Sequence, residues 1–204
     1  MIVWTLHSIF KSGRFVGKEN IMLISESYRE LNKDVHAGGR YGQNGDKWLD
    51  QVEDLIQRYL PASILDYGCG QGALGKALER PIFEYDPAIE GKDTLPKPAD
   101  LVICTDVIEH IEPELIDEVL AHLHSLTKKA IFIVIATRAA NKILADGRNA
   151  HLIVEPWPWW EKKIALRFSV VDKVIDPMQA VVILEPLGRL ESLCRRGLAT
   201  LRKR

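Results

Sequence analysis

Cysteines at metal-ligand spacing are missing from this chain of 204 residues. Its three, Cys69, Cys104 and Cys194, stand far apart with no CxxC pair. A scattered, odd number suits a reducing compartment and offers no framework for a structural zinc site. A charge excess is missing as well. With 27 Lys and Arg against 28 Asp and Glu, the formal net charge is −1, so no global field draws the protein to nucleic acid or to an anionic membrane surface. A local patch can still hold a nucleic-acid substrate, so that class is not excluded. No apolar run approaches the roughly eighteen residues that span a bilayer. The opening MIVWTLHSIF is short, interrupted by His7 and without a small-residue cleavage pattern, unlike a signal sequence. The chain reads as a cytoplasmic protein.

What is present is one core's worth of apolar residues, 47% of the chain, arranged in alternating patterns. Residues 1–27 match no element and read as an N-terminal extension. In GDKWLDQVEDLIQRYLP, the residues Trp48, Leu49, Val52, Leu55, Ile56 and Tyr59 form one helical face that Pro61 stops. SILDYG then reads as a buried strand and QGALGKALER as a helix. PIFEYD and DLVICTD are further strands, closed by Asp86 and Asp106. A helix opened by Pro113 leads into AIFIVIAT, a continuous apolar strand of the kind buried on both faces of a parallel sheet. After an irregular segment come the helix WPWWEKKIALRF and two strands, FSVVDKVID and AVVILEP, joined as a hairpin. The basic tail, residues 187–204, has leucines at helical spacing interrupted by Gly197. The alternation predicts an α/β fold whose mostly parallel sheet ends in an antiparallel hairpin. Ligands of such sheets bind at the carboxyl ends of the strands, where Asp66, the glycines, Asp86 and Asp106 all fall.

The glycines sit in ILDYGCGQGALG, residues 64–75, at Gly68, Gly70 and Gly72. Two ligands suit such a loop. GQGALG fits the dinucleotide fingerprint G-x-G-x-x-G, and DYGCGQG fits a loop that holds S-adenosylmethionine. An acid at Asp86 can accept hydrogen bonds from the ribose hydroxyls of either. Asp66 discriminates, because a carboxylate there repels a pyrophosphate and welcomes a sulfonium ligand with a cationic amino group.

ILDYGCGQG, EYD and ADLVICTDVIEHI together resemble the class I S-adenosylmethionine-dependent methyltransferases, most nearly their small-molecule branch. DVIEHI, Asp106–Ile111, fits that branch's D-x-[IL]-E-H-[IV] pattern, and His151–Leu152 in NAHLIVEPWPWW fits its downstream His-Leu segment. The resemblance covers about residues 28–186, which it implies to be one Rossmann-like domain. It implies S-adenosylmethionine as cofactor and S-adenosylhomocysteine as product. By resemblance, Gly68, Cys69 and Gly70 hold the methionine part, Asp66 supports its amino group through water, and Asp86 grips the ribose. Asp106 and Val107 line the cofactor beneath the methyl, and Tyr41 belongs to a lid. One departure is plain: PAIEGKDTLPKPA, between Asp86 and Asp100, is too short for the family's usual helix and strand, so the sheet is expected to be trimmed there. Asp93 or Thr94 is then a candidate for the adenine edge.

Methyl transfer needs an aligned nucleophile and, for many acceptors, a base. His151 and His110 are the candidate bases, both at the strand-end rim, and Glu109 reads as a structural acid. Arg148, Asn149 and Trp159 are candidate substrate contacts; Trp157, Trp159 and Trp160 can equally serve packing. No metal-ligand spacing is visible. Neither a D/N-P-P-Y/F box nor a Pro-Cys pair occurs, which argues against DNA amino- and cytosine-C5 methylation, and the acceptor is expected to be a small molecule. Two rival readings stay open: an NAD-dependent oxidoreductase, against which the missing Tyr-x-x-x-Lys speaks, and a cofactor-binding module that supports a partner protein. Oligomeric state has no signal in the sequence.

Overall fold

The computed structural model describes residues 22–38 and 45–201. Its first element, α1 (Glu26–Ala37), has Ser25 as N-cap: the hydroxyl accepts the Tyr28 N–H at 3.2 Å. Ser25 in turn donates its own N–H and hydroxyl to the two carboxylate oxygens of Glu112, at 2.8 and 2.6 Å. Residue 28 therefore lies in the first turn of a helix fastened to the body. A 3₁₀ turn, Gly45–Trp48, leads into α2 (Leu49–Tyr59), which ends at a left-handed Leu60 immediately before Pro61.

The remaining elements follow the expected alternation: β1 (Ile64–Tyr67), α3 (Ala73–Ala77), β2 (Phe83–Tyr85), β3 (Ala99–Thr105), α4 (Ile116–Leu126) and β4 (Thr127–Ala136). Then come α5 (Trp157–Ile164), β5 (Phe168–Ile175), β6 (Gln179–Pro186) and α6 (Arg189–Leu201). The strand order is β2-β1-β3-β4-β6-β5. The first four strands are parallel, and β6 joins β4 antiparallel with β5 outside it. The mostly parallel sheet with an antiparallel C-terminal pair is thus as expected, and so is the trimming, since no strand or α-helix intervenes between β2 and β3. The chain leaves β1 toward β2 on one side and returns to β3 on the other. That reversal opens a crevice at the carboxyl ends.

Period-two alternation divides the core into two layers. Ile131, Ile133 and Ile135 of β4 face α4 and α5, whereas Ala130, Phe132 and Val134 face α2 and α3. A third, smaller cluster lies apart from both: Tyr28 of α1 packs with Leu144 and Ala150 of the loop after β4. α3 is shorter than QGALGKALER suggests. Pro81 biases Arg80 away from helical backbone, and Leu78 is already extended. Among the described residues no helix is long and apolar enough to cross a membrane.

The aromatic helix is a packing element first. Trp160 is fully buried against α4 and the sheet, with its indole N–H donating to Glu155 O at 3.1 Å. Replacing a residue of that size leaves a cavity and an unpaired carbonyl. Trp160→Ala should therefore cost about 3–5 kcal/mol, read as a lower urea midpoint at unchanged slope.

Candidate functional site

Every chain end on the crevice rim is held by a specific interaction. After β1 the N–H groups of Gly68 and Cys69 both donate to Tyr85 O of β2, at 2.7 and 3.1 Å. Gly68 has φ +77°, and a Cβ there would overlap both methyls of Val107. Here glycine is required by conformation and by space alike. Gly70 donates its N–H to Asp86 Oδ2 at 3.1 Å, while Oδ1 of the same carboxylate accepts Ala88 N–H at 2.9 Å. The trimmed segment after β2 doubles back at once: Asp86 N–H donates to Lys92 O, and Lys92 Nζ reaches Gly70 O at 3.3 Å. Pro87 and Ala88 thereby line the crevice, and Asp93 and Thr94 do not.

At the end of β3, Asp106 adopts left-handed backbone (φ +55°), a strained conformation that Asp tolerates better than most residues. Its carboxylate pairs with Lys47 Nζ, which reaches across from the 3₁₀ turn before α2. A second 3₁₀ turn, Ile108–His110, follows. Glu109 points inward from it and is fully buried: Oε1 accepts the Ala136 N–H at 2.9 Å, and Oε2 has no hydrogen-bond partner. His110 Nδ1 donates to Ala150 O at 2.7 Å, and His151 Nδ1 to Arg138 O at 2.6 Å. The two rings meet edge to face with centroids 4.8 Å apart.

These residues enclose a cleft of about 420 Å³, within the range of small-molecule and cofactor sites. Asp66, Gly68, Cys69, Gly70, Asp86, Asp106, Val107, His110 and His151 all line it. Sequence reasoning named each of them, and the fold brings them together. Tyr41 lies outside the described residues. Arg148, Asn149 and Trp159 are not on the cleft wall. Arg148 pairs with Asp146 at 2.7 Å and stacks over the Tyr28 ring. Asn149 spends its amide on the loop itself, accepting from Ala140 and His151 N–H and donating to Ala140 O. Trp159 packs on Trp160 and the core beneath Lys163.

Missed by sequence reasoning were the cleft residues Tyr28, Asn32 and His36 of α1, and Lys47. Ser25 followed by Glu26, with Tyr28, Leu31 and Val35 at helical spacing, is the signal that would have found α1. The spacing of Lys47 to Asp106 carries no signal at all.

Burial shapes the electrostatics. Asp66 is pushed up to about 7, first by desolvation and then by Glu84, with Lys92 acting in the opposite direction. Glu109 rises to about 8, again first by burial. His110 falls to about 4 through burial and the neighbouring His151, so its ring is neutral at pH 7. The Cys69 thiol is raised strongly by burial, which leaves it inert as a nucleophile. The cleft wall thus combines an acid whose pKa lies near neutrality, Asp66, with the neutral imidazole of His110.

Comparison with known proteins agrees with this arrangement. A family model described as a methyltransferase domain matches residues 43–169. No curated protein sequence matches the chain significantly. Among solved structures, the chain is similar to 1,6-didemethyltoxoflavin-N1-methyltransferase of Burkholderia thailandensis, which holds 1,6-didemethyltoxoflavin and S-adenosylhomocysteine. That similarity has 16% identity and TM-score 0.58, over 79% of this chain and 90% of the other. A DhpI–S-adenosylhomocysteine complex is similar at 17% identity and TM-score 0.56, over 81% and 100%. An S-adenosylmethionine-dependent methyltransferase from Clostridium acetobutylicum is similar at 12% identity and TM-score 0.56, over 79% and 100%.

The glycine at 68 gives a direct test of the site's geometry. Gly68→Ala should lose about 1–2 kcal/mol to left-handed backbone alone, and more to the overlap with Val107. Gly91→Ala, at φ +82° with open space around it, should show the backbone cost only. Adding Val107→Ala to Gly68→Ala should recover the difference, measured as non-additivity in thermal or urea unfolding.

Proposed function

We propose, since the chain belongs to the methyltransferase-domain family, that it transfers the methyl group of S-adenosylmethionine to a small-molecule acceptor. The observation that carries this reading is the convergence, in one cleft, of the glycine loop, Asp66 and Asp86, and the two histidines His110 and His151. S-adenosylmethionine supplies a methyl group on a positively charged sulfur when bound. The protein has to orient it, exclude water and present the nucleophile in line.

On this reading the loop from Gly68 to Gly70 accommodates the methionine portion, because its backbone can be approached closely. Asp86 takes the ribose hydroxyls. Each of its oxygens already accepts one N–H, and each has a second lone pair left for a hydroxyl. Asp66 faces the amino group through water, and Asp106 and Val107 lie beneath the methyl. Tyr41 would complete the lid. The acceptor enters beside Tyr28, Asn32 and Arg138, and its nucleophilic atom meets His110 and His151. With Nδ1 donated to a carbonyl, Nε2 of His151 is the ring atom able to take a proton there. Support for a small-molecule acceptor also comes from the didemethyltoxoflavin enzyme, a similar fold holding a small heterocycle.

Titration calorimetry with S-adenosylhomocysteine and, separately, NAD tests the reading. Micromolar binding of S-adenosylhomocysteine alone is expected, weakened at least tenfold by Asp86→Ala through the lost ribose contacts. Binding of NAD alone, or of neither, would overturn it. The acid at residue 66 adds a pH signature. Its protonated form predominates at pH 6 and its charged form at pH 8, and only the charged form attracts the ligand's ammonium group. Affinity for S-adenosylhomocysteine should rise about tenfold across that interval. Asp66→Asn should flatten the profile.

A further inference from the structure

Glu109, His110 and His151 bring one potential ligand atom each to a single spot, all three within 4.8 Å of one another. The set is two imidazoles and a carboxylate, drawn from the turn after β3 and from the loop after β4. Each ring has its Nδ1 at a backbone carbonyl, the outer contact that metal-binding imidazoles commonly make, which leaves Nε2 as the atom able to meet an ion. The carboxylate supplies an independent sign. Glu109 is fully buried, and its Oε2 lacks any hydrogen-bond partner. A buried carboxylate oxygen left open is costly, and a cation beside it offsets that cost.

We infer that Glu109, His110 and His151 form a binding site for one divalent first-row transition-metal ion, with its remaining positions open toward the acceptor in the cleft. Two imidazoles with one carboxylate favour ions such as Mn²⁺, Fe²⁺, Co²⁺ or Zn²⁺ over Mg²⁺ and Ca²⁺, which prefer oxygen shells. Ligand atoms about a tetrahedral ion with bonds of 2.0–2.1 Å lie roughly 3.3 Å apart. The observed spread closes to that value with side-chain movements of about 1 Å, small against rotamer freedom.

For its role in the reaction, the inference rests on the methyl transfer proposed above. An acceptor hydroxyl bound at an open position loses its proton to solvent, because the ion lowers its pKa. The oxygen's electron pair then forms the O–CH₃ bond while the S–CH₃ bond breaks. The breaking bond's pair stays on sulfur, so the sulfonium becomes the neutral thioether of S-adenosylhomocysteine. Nε2 of His151 then acts as a ligand in place of acting as the base, and acceptors able to offer two neighbouring oxygens are favoured.

The test reads the ion directly, on full-length protein without an affinity tag. Co²⁺ is the probe, followed by calorimetry and by its visible absorption. One equivalent should bind to the wild type. His151→Ala and Glu109→Gln should each lower the affinity about 10- to 100-fold. Glu109→Gln keeps the oxygen that Ala136 needs and so protects the fold, and His124→Gln, away from the cleft, should bind as the wild type does. Absence of stoichiometric Co²⁺ binding, or binding unchanged in both site variants, overturns the inference. Measuring S-adenosylhomocysteine on the same samples separates the two proposals. Cofactor product bound without Co²⁺ sinks the metal site and leaves methyl transfer standing, whereas Co²⁺ bound without it does the reverse.

Discussion

Glu109 ties together the three chain segments on which the acceptor side of the cleft depends. Its Oε1 takes the last N–H of β4, at Ala136, and its backbone oxygen accepts the Ile153 N–H of the loop that carries His151. Its own turn carries His110 and hangs from Asp106, whose N–H donates to Val134 O of β4. Glu109 thereby adds to the bonds that join the turn to β4 through Asp106 and the turn to the long loop through His110 and Ala150. It is also a buried acid, and burying an acid costs free energy that an apolar residue would not. One of its oxygens offsets part of that cost by accepting the Ala136 N–H, and the other is left without a hydrogen bond.

The cofactor side depends on a second carboxylate used the same way. Asp86 joins the loop after β1 to the turn after β2 through Gly70 and Ala88. That bridge explains how the sheet does without the strand that usually follows. A longer fold flanks the crevice with another βα unit. Here the chain turns back on itself within a few residues, and the turn is fastened by Asp86 N–H to Lys92 O, by Lys92 to Glu84 at 2.9 Å and by Lys92 to Gly70. The ends of β1 and β3 and the acid after β2, where the sequence placed its candidate residues, all survive the trimming and line the crevice.

Most of this was legible in the sequence because it is local or periodic. The strands are apolar runs closed by acids, the glycines need positive φ, and the DVIEHI stretch carries its own resemblance, so the sheet and the strand-end part of the cleft wall could be named. What escaped was what the fold decides late. Asn149 and Arg148 are polar and near the rim, but their hydrogen-bonding capacity is consumed within their own loop, which no spacing reveals. Trp159 packs on the core because its neighbour Trp160 is anchored there. Glu109 read as a structural acid, which its bond to Ala136 fits; that it and His110 lie beside His151 escaped, because the two segments are distant in the chain.

The roof of the cleft follows different rules from its floor. Below it, two apolar layers press on both faces of the sheet. Above it, Tyr28, Leu144 and Ala150 are the only fully buried members of the described third cluster, with Ile24, Leu31 and Val35 partly buried around them. Apolar burial is what opposes local opening, and this cluster offers less of it than either layer of the sheet. Its ties are polar and sit at its edges: Ser25 on Glu112 at the start of α1, and Arg148 over the Tyr28 ring. The two sides of the cleft are therefore held differently, the sheet side by two apolar layers and the α1 side by a small apolar cluster with polar contacts at its edges.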